Sequence, residues 1–390
     1  MSRTLLHLMR AKIRKHWPIL LLAFILASLL TLTLLPYNGN VSALFHLDTP
    51  LAENHVPPSG FVVLSVPAYD GAQYYQLART LPLVMTGQWE AVRQRLPGPY
   101  AWQRILLPVL AFTFALGQDA LLPWSFLLIQ FLCLLGTATL IIETNRRWWP
   151  YALALALSPA ALIGLHFSLA EPLTIFLLTA LLLRYRKRSH LHAFDLFLLS
   201  LLVLTREVNI LVVGLLFLYS LWKKQWHEAL LLFIPAGAFL AWHGVIFGIF
   251  GSIPFLWSTA KFTFPFGAVV PLLAGTYGYN RLTLTSIPLA LLFVLPALLW
   301  SLDEMIRKRQ RTFLPLAAFT FLALMTMMPI VIWGSITSIG RVITPVYPAI
   351  LLHAATRDTL PAKYFAAAVL LLGLGGALAL ATSVHPFIIL

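Results

Sequence analysis

Uncharged, strongly apolar runs follow one another along nearly the whole chain, and short breaks between them hold most of the charge. They cover Trp17–Pro36, Ile105–Gln118, Ala120–Ile142, Trp148–Ala170, Pro172–Leu183, Leu196–Thr205, Val208–Trp222, Ala229–Ala260, Leu282–Leu302, Thr312–Gly340, Val342–Thr356 and Tyr364–Leu390. Apolar residues within a run are continuous rather than alternating, which predicts helices and excludes a β-barrel. A full membrane crossing takes about 20 residues. Several runs are shorter, so pairs of short helices meeting within the membrane are expected, their irregular backbone covered by protein or lining a cavity. The predicted fold class is all-α: one polytopic transmembrane domain over 1–390, with about ten to twelve membrane helices, several short or re-entrant.

Composition narrows the class further. Hydrophobic residues make up 60% of the chain and charged residues 10%, against about 25% charged in soluble domains. This excludes a soluble globular enzyme and a disordered chain. The net charge of +14 would suggest nucleic acid in a soluble protein. Here the cations cluster between apolar runs, as in cytoplasmic loops, and no nucleic-acid partner is expected. Membrane lipids are. The clusters are Arg3 to Lys15, Arg146–Arg147, Arg184 to Arg188, Lys223–Lys224, Arg307 to Arg311, and Arg357 with Lys363. Trp17–Pro36 is longer than a signal-peptide core and lacks a convincing cleavage site, so it reads as an uncleaved first membrane helix. One cysteine, Cys133, allows no intrachain disulfide.

Placing every cluster in the cytoplasm leaves Arg79, Arg93, Arg95, Arg104, Arg206, Lys261, Arg281 and Arg341 at the outer side, where topology does not explain them. Residues 37–104 form a first extracytoplasmic loop with too much Pro and Gly for one long helix. Residues 248–281 form a second outer or re-entrant segment with aromatic anchors. Between these, Ile105–Gly117 is favoured as a half-membrane arm and Ala120–Ile142 as the crossing; two crossings are the alternative.

The strongest local feature is Tyr69-Asp70-Gly71-Ala72-Gln73-Tyr74-Tyr75-Gln76-Leu77-Ala78-Arg79. Asp70 either caps a helix starting at Gly71 or is an acid facing a cavity, where it could take the proton of a sugar hydroxyl. Gly71 would let another backbone or a substrate come close. The pattern Asp-Gly-x-x-Tyr-Tyr-x-x-Ala-Arg resembles the first outer loop of the GT-C superfamily of integral-membrane glycosyltransferases. The resemblance is nearest to a bacterial group that forms cell-surface glycopolymers, and more distant to the GPI mannosyltransferase II type. Four further segments of the chain are similar to that group: Trp102 to Pro108, Ser168 to Leu173, Leu204 to Glu207, and Arg341 to Pro345. Val208 departs from it, standing where a small polar residue is expected.

The resemblance implies a GT-C-like fold and transfer of a sugar from a polyprenyl-phosphate donor at the outer side of a cytoplasmic membrane. The acceptor would be a glycan, lipid or protein hydroxyl. Asp70 is then the catalytic base. Arg341 and Arg206, with Arg104, are the donor phosphate-binding candidates; an Arg with no acid near it in sequence suits a phosphate. The other readings are snorkelling for Arg341, a self-contained Arg206–Glu207 pair, and a membrane-boundary role for Arg104. Tyr74, Tyr75 and Trp102 are acceptor-cleft candidates or loop packing. Glu171, Glu207 and His166 are supporting candidates. Glu171 before Pro172 also suits a helix start. The cofactor is open: a divalent metal (Mg or Mn) shared by Asp70, His166 and Glu171 is one alternative, without diagnostic ligand spacing. A transporter or flippase for a lipid-linked sugar is the second functional reading.

Overall fold

The structure, a computed structural model, describes residues 3–49, 57–64, 68–96, 98–188, 190–253, 263–268, 270–271, 274, 288–306, 312–334, 336–357 and 359–382, with side chains from 16 onward except at 330, 331, 336 and 382. Lys261, Arg281 and most of the 248–281 segment lie outside the described residues.

Helices dominate. The only strands among the described residues are Leu47–Asp48 and Val63–Leu64, which pair in parallel. Helix α1 (Arg3–Leu34) leads into the first loop region, which holds α2 (Asp70–Met85), α3 (Trp89–Arg95) and a 3-10 turn at Ala101–Arg104. As the Pro and Gly content predicts, this region is not one helix. Nor is it a detached loop: Ala72, Tyr74, Tyr75, Leu77 and Ala78 of α2 are buried. Gly71 permits the docking. A Cβ there would overlap the backbone carbonyl oxygen of Phe167.

Next come α4 (Leu106–Phe114) and α5 (Leu122–Thr144). Nine residues of α4 rise only about 13 Å, so it forms an arm, whereas α5 is long and apolar enough to cross a membrane. Helices α6 (Trp149–Ala156) and α7 (Pro159–His166) meet at a 50° bend. The bend has a local cause: Pro159 disfavours helix at Ser158, whose side chain caps α7 by accepting from Ala161 N.

Helices α8 (Glu171–Arg188), α9 (Ala193–Thr205) and α10 (Ile210–Trp222) follow, α8 packing on α5 and α9 on α8. Pro172 is tolerated in the first turn of α8, where its missing N–H has no helical partner to lose. Arg206 adopts extended backbone and ends α9. Asn209 Nδ2 staples the turn by donating to Leu202 O at 2.9 Å and Thr205 Oγ1 at 2.8 Å. Then follow α11 (Trp226–Leu231), α12 (Phe233–Phe250), α13 (Leu295–Ile306), α14 (Phe313–Thr326), α15 (Ile330–Trp333), α16 (Ile336–Val342), α17 (Val346–Ala355) and α18 (Leu360–Thr382).

Four helical segments among the described residues are long and apolar enough to cross a membrane, and the bent α6–α7 pair makes a fifth. Four shorter apolar helices, Ala193–Thr205, Glu207–Trp222, Phe313–Thr326 and Val346–Ala355, stand beside them among the described residues, as the short runs predict. The runs between Pro172 and Trp222 fold as hairpin helices of 18, 13 and 13 residues, and Thr312–Gly340 breaks into α14, α15 and part of α16. Apolar run length overstates helix length where Pro and polar turns interrupt.

Gly71→Ala should lower the unfolding temperature of the detergent-solubilised protein by the equivalent of about 1–3 kcal/mol, the usual cost of overpacking. An unchanged unfolding temperature would show that α2 docks without this close approach.

Candidate functional site

Five chain segments meet at one end of the bundle and bring three carboxylates and three guanidinium groups together. Asp70 stands at the start of α2. The helix takes its N-cap position from Tyr69 and has no side-chain cap. Asp70 Oδ2 instead accepts from Arg104 Nη1 and Arg341 Nη2, both at 2.7 Å. Arg104 ends the 3-10 turn before α4 and also grips Glu207 with two hydrogen bonds, Nε to Oε2 and Nη2 to Oε1, each 2.9 Å. Arg341, in the last turn of α16, donates through Nε to Glu171 Oε1 at 2.6 Å. Arg206 Nη1 lies 3.2 Å from the same Glu171 oxygen and donates to Arg341 O at 2.7 Å.

The charges therefore alternate: Glu207, Arg104, Asp70, Arg341, Glu171, Arg206. Arg206 and Glu207 are chain neighbours, so attraction between them closes the series. Three tyrosines complete it. The Tyr74 and Tyr100 hydroxyls accept from Arg104 at 3.0 and 2.8 Å, and the Tyr69 hydroxyl from Arg341 at 2.9 Å. The Arg104 and Arg341 guanidinium carbons also stand over the Tyr100 and Tyr69 rings, at 4.9 and 5.2 Å.

Access is graded. The Glu171 side chain is 0% exposed and Arg206 5%, whereas Asp70 is 19% and Glu207 16% exposed. Glu171 Oε2 and Arg206 Nε are buried without hydrogen-bond partners. Burial alone would raise the Asp70 pKa, but the guanidinium groups of Arg341 and Arg104 outweigh it and hold the carboxyl well below the usual range.

Several expectations change. Arg341 is not without an acid: its partners lie 170 and 271 residues away in sequence. Arg206 and Glu207 are not a self-contained pair, since each binds a different element. Asp70 is not a helix cap. Tyr74 belongs to the site through its hydroxyl. Tyr75 does not: it is buried, packing on Phe45 and Phe61 at ring distances of 5.0 and 4.7 Å. Trp102 is buried in a second apolar cluster with Leu77 and Ile246, so neither lines a cleft. His166 packs on His46 and Phe167.

Among the described residues no three His, Cys, Asp or Glu side chains are grouped to hold a metal ion. Asp70 and Glu171 are each engaged by two arginines. Tyr69 and Tyr100 are the site residues that sequence reading missed. Both flank motif residues in the chain, which was the only available signal.

No family model, curated protein or solved structure matches this chain. The five segments singled out in the sequence are the same five that converge here.

Removing one carboxylate leaves buried guanidinium groups uncompensated. Glu171→Gln should cost about 3–5 kcal/mol. Glu90→Gln, which breaks the exposed Glu90–Arg93 pair, should cost no more than about 1 kcal/mol. Thermal unfolding of both variants checks the contrast; equal losses would deny the network its structural weight.

The pH dependence has a fixed sign. A carboxyl whose folded pKa is depressed stabilises the fold above its ordinary pKa of about 4 and loses that contribution as pH falls towards the folded value. The unfolding temperature should therefore decline below about pH 4, and less steeply in Asp70→Asn. Parallel declines in the two proteins would remove Asp70 as a source.

Proposed function

We propose that this chain is an integral-membrane glycosyltransferase of the cytoplasmic membrane, using a polyprenyl-phosphate sugar and acting at the extracytoplasmic side. One observation carries the reading: the five segments that resemble the GT-C group, spread over more than 270 residues, supply every member of one charge network. The orientation draws on the same helices. Each of α8, α10 and α17 has the network near its N-terminal end and a basic cluster near its C-terminal end, as positive loops on the cytoplasmic side require.

In the proposed reaction the donor phosphate meets Arg341 and Arg104, and Arg206 supports them from below. Three buried guanidinium groups suit the charge that grows on the leaving phosphate. An acceptor hydroxyl oxygen attacks the anomeric carbon and its proton passes to Asp70. The bond from that carbon to the phosphate oxygen breaks, and polyprenyl phosphate leaves with the electron pair. Held by two arginines, Asp70 is a weak base. Incoming phosphate competes for the same donors, loosens that hold and raises the basicity of Asp70 towards a useful range. The donor thus prepares the base that activates the acceptor. No step is routed through a metal, because the carboxylates are already engaged.

Transfer from labelled polyprenyl-phosphate sugars in membranes is the test, comparing native protein with Asp70→Asn and Asp70→Glu. Asp70→Asn leaves two guanidinium groups short of charge, so activity is normalised to folded protein. Native protein should transfer sugar. Asp70→Asn should lose at least about 100-fold in kcat, the scale of a missing general base, and Asp70→Glu should regain part of it. Equal transfer by native and Asp70→Asn would remove Asp70 from catalysis. Movement of lipid-linked sugar between leaflets without transfer would replace the enzyme with a transporter.

A further inference from the structure

A cavity of about 520 Å³ opens at the other end of the bundle, lined in part by Tyr185, Arg186, Tyr219, Lys223, His353 and Arg357. Arg186 is 15 residues along α8 from Glu171, so the cavity lies about 22 Å from the charge network. Four helix ends frame it: the C-terminal ends of α8, α10 and α17, and the N-terminal end of α14. Its volume falls within the usual range for small-molecule sites.

Three cations reach it, and their partners differ from those of the outer network. Arg357 Nη2 donates to the buried Glu304 at 3.1 Å, while its Nε is buried without a hydrogen-bond partner. Arg186 stands 4.7 Å over the Trp148 ring, and Lys223 lies 5.6 Å from the Tyr219 ring and 5.3 Å from that of Trp222. Among the described residues neither Arg186 nor Lys223 has a carboxylate within ion-pair distance. Aromatic rings hold these two cations in place without neutralising them.

Helix C-terminal dipoles favour cations in the last turn, and that accounts for part of the charge. It does not account for a cavity, nor for an unsatisfied guanidinium N–H beside it. Leu182, Phe313 and Leu314 add an apolar wall. A cationic rim and an apolar wall fit an amphiphilic anion. We propose that this cavity binds a phosphate-bearing ligand, with the phosphate between Arg186, Lys223 and Arg357 and an apolar portion against Leu182, Phe313 and Leu314. The site does not depend on the glycosyltransferase reading.

Binding is measured on the full-length protein in detergent, with short-chain phosphatidylglycerol, phosphatidylcholine and glycerol 3-phosphate as probes. Phosphatidylglycerol should bind saturably, at least about tenfold tighter than phosphatidylcholine, as expected of charge-assisted hydrogen bonds. The double variant Arg186→Gln/Lys223→Gln changes two exposed side chains, so it should fold normally and weaken phosphatidylglycerol binding at least about tenfold. Arg93→Gln, a cation outside the cavity, should not. Competition by glycerol 3-phosphate at similar affinity supports a free phosphate compound as the source; absence of competition supports a lipid headgroup. Phosphatidylglycerol binding that is unchanged in the double variant, or no phosphate-dependent binding by any probe, overturns the proposal.

Discussion

Alternation of charge is the constraint on which one end of this bundle depends. A buried guanidinium costs several kcal/mol to desolvate unless carboxylates surround it. Here three such groups are buried, and each carboxylate lies in the field of at least two of them. No local segment could assemble this. The six residues come from α2, the turn before α4, α8, the α9–α10 turn and α16, so their geometry exists only once those elements have docked. Small supports hold them there: Thr174 Oγ1 donates to Thr205 Oγ1 at 3.1 Å beside Glu171 and Arg206, and Thr344 Oγ1 donates to the Arg341 carbonyl at 2.5 Å.

The network is electrically balanced, three against three, and this bears on its chemistry. A site that awaits an anion commonly displays uncompensated cations. Here an arriving phosphate would make the balance negative, so a carboxylate must loosen its hold or take a proton. Depth decides which one. Glu171 is sealed between Arg341 and Arg206, and Glu207 is held by both oxygens. Asp70 is the most exposed of the three and meets both arginines through a single oxygen. It is the carboxylate nearest to solvent. The displacement that an anion demands and the release that a general base needs therefore fall on the same residue.

Much of this was legible in sequence, and the remainder has physical reasons for being hidden. Five of the six network residues border apolar stretches, where ionisable groups are expensive, and Asp70 stood out through its own motif. Their pairing did not. Sequence proximity suggested Arg206 with Glu207 and left Arg341 alone, whereas the fold pairs residues up to 271 positions apart. Aromatic side chains were the weakest signal. Tyr74 and Tyr75 are adjacent on one helix, yet consecutive positions point about 100° apart; one hydroxyl meets Arg104 and the other ring enters the apolar core. Where the backbone breaks within an apolar run was also hidden, because composition marks the run and not the break.

At the opposite end one explanation can conceal a second property. Arg186, Lys223 and Arg357 fit the rule that places cations in cytoplasmic loops. That rule concerns the side of the membrane and is indifferent to where a side chain points within a loop. Three cations spread over a loop surface would satisfy it as well as three around a cavity. Their convergence follows instead from helix phase and length. Helices α8, α10 and α17 begin near the charge network and end within reach of one another, so the docking that assembles six charges at one end also gathers cations at the other. A single packing arrangement thus sets the geometry of both ends, and a shift of these helices that disturbed one would be felt at the other.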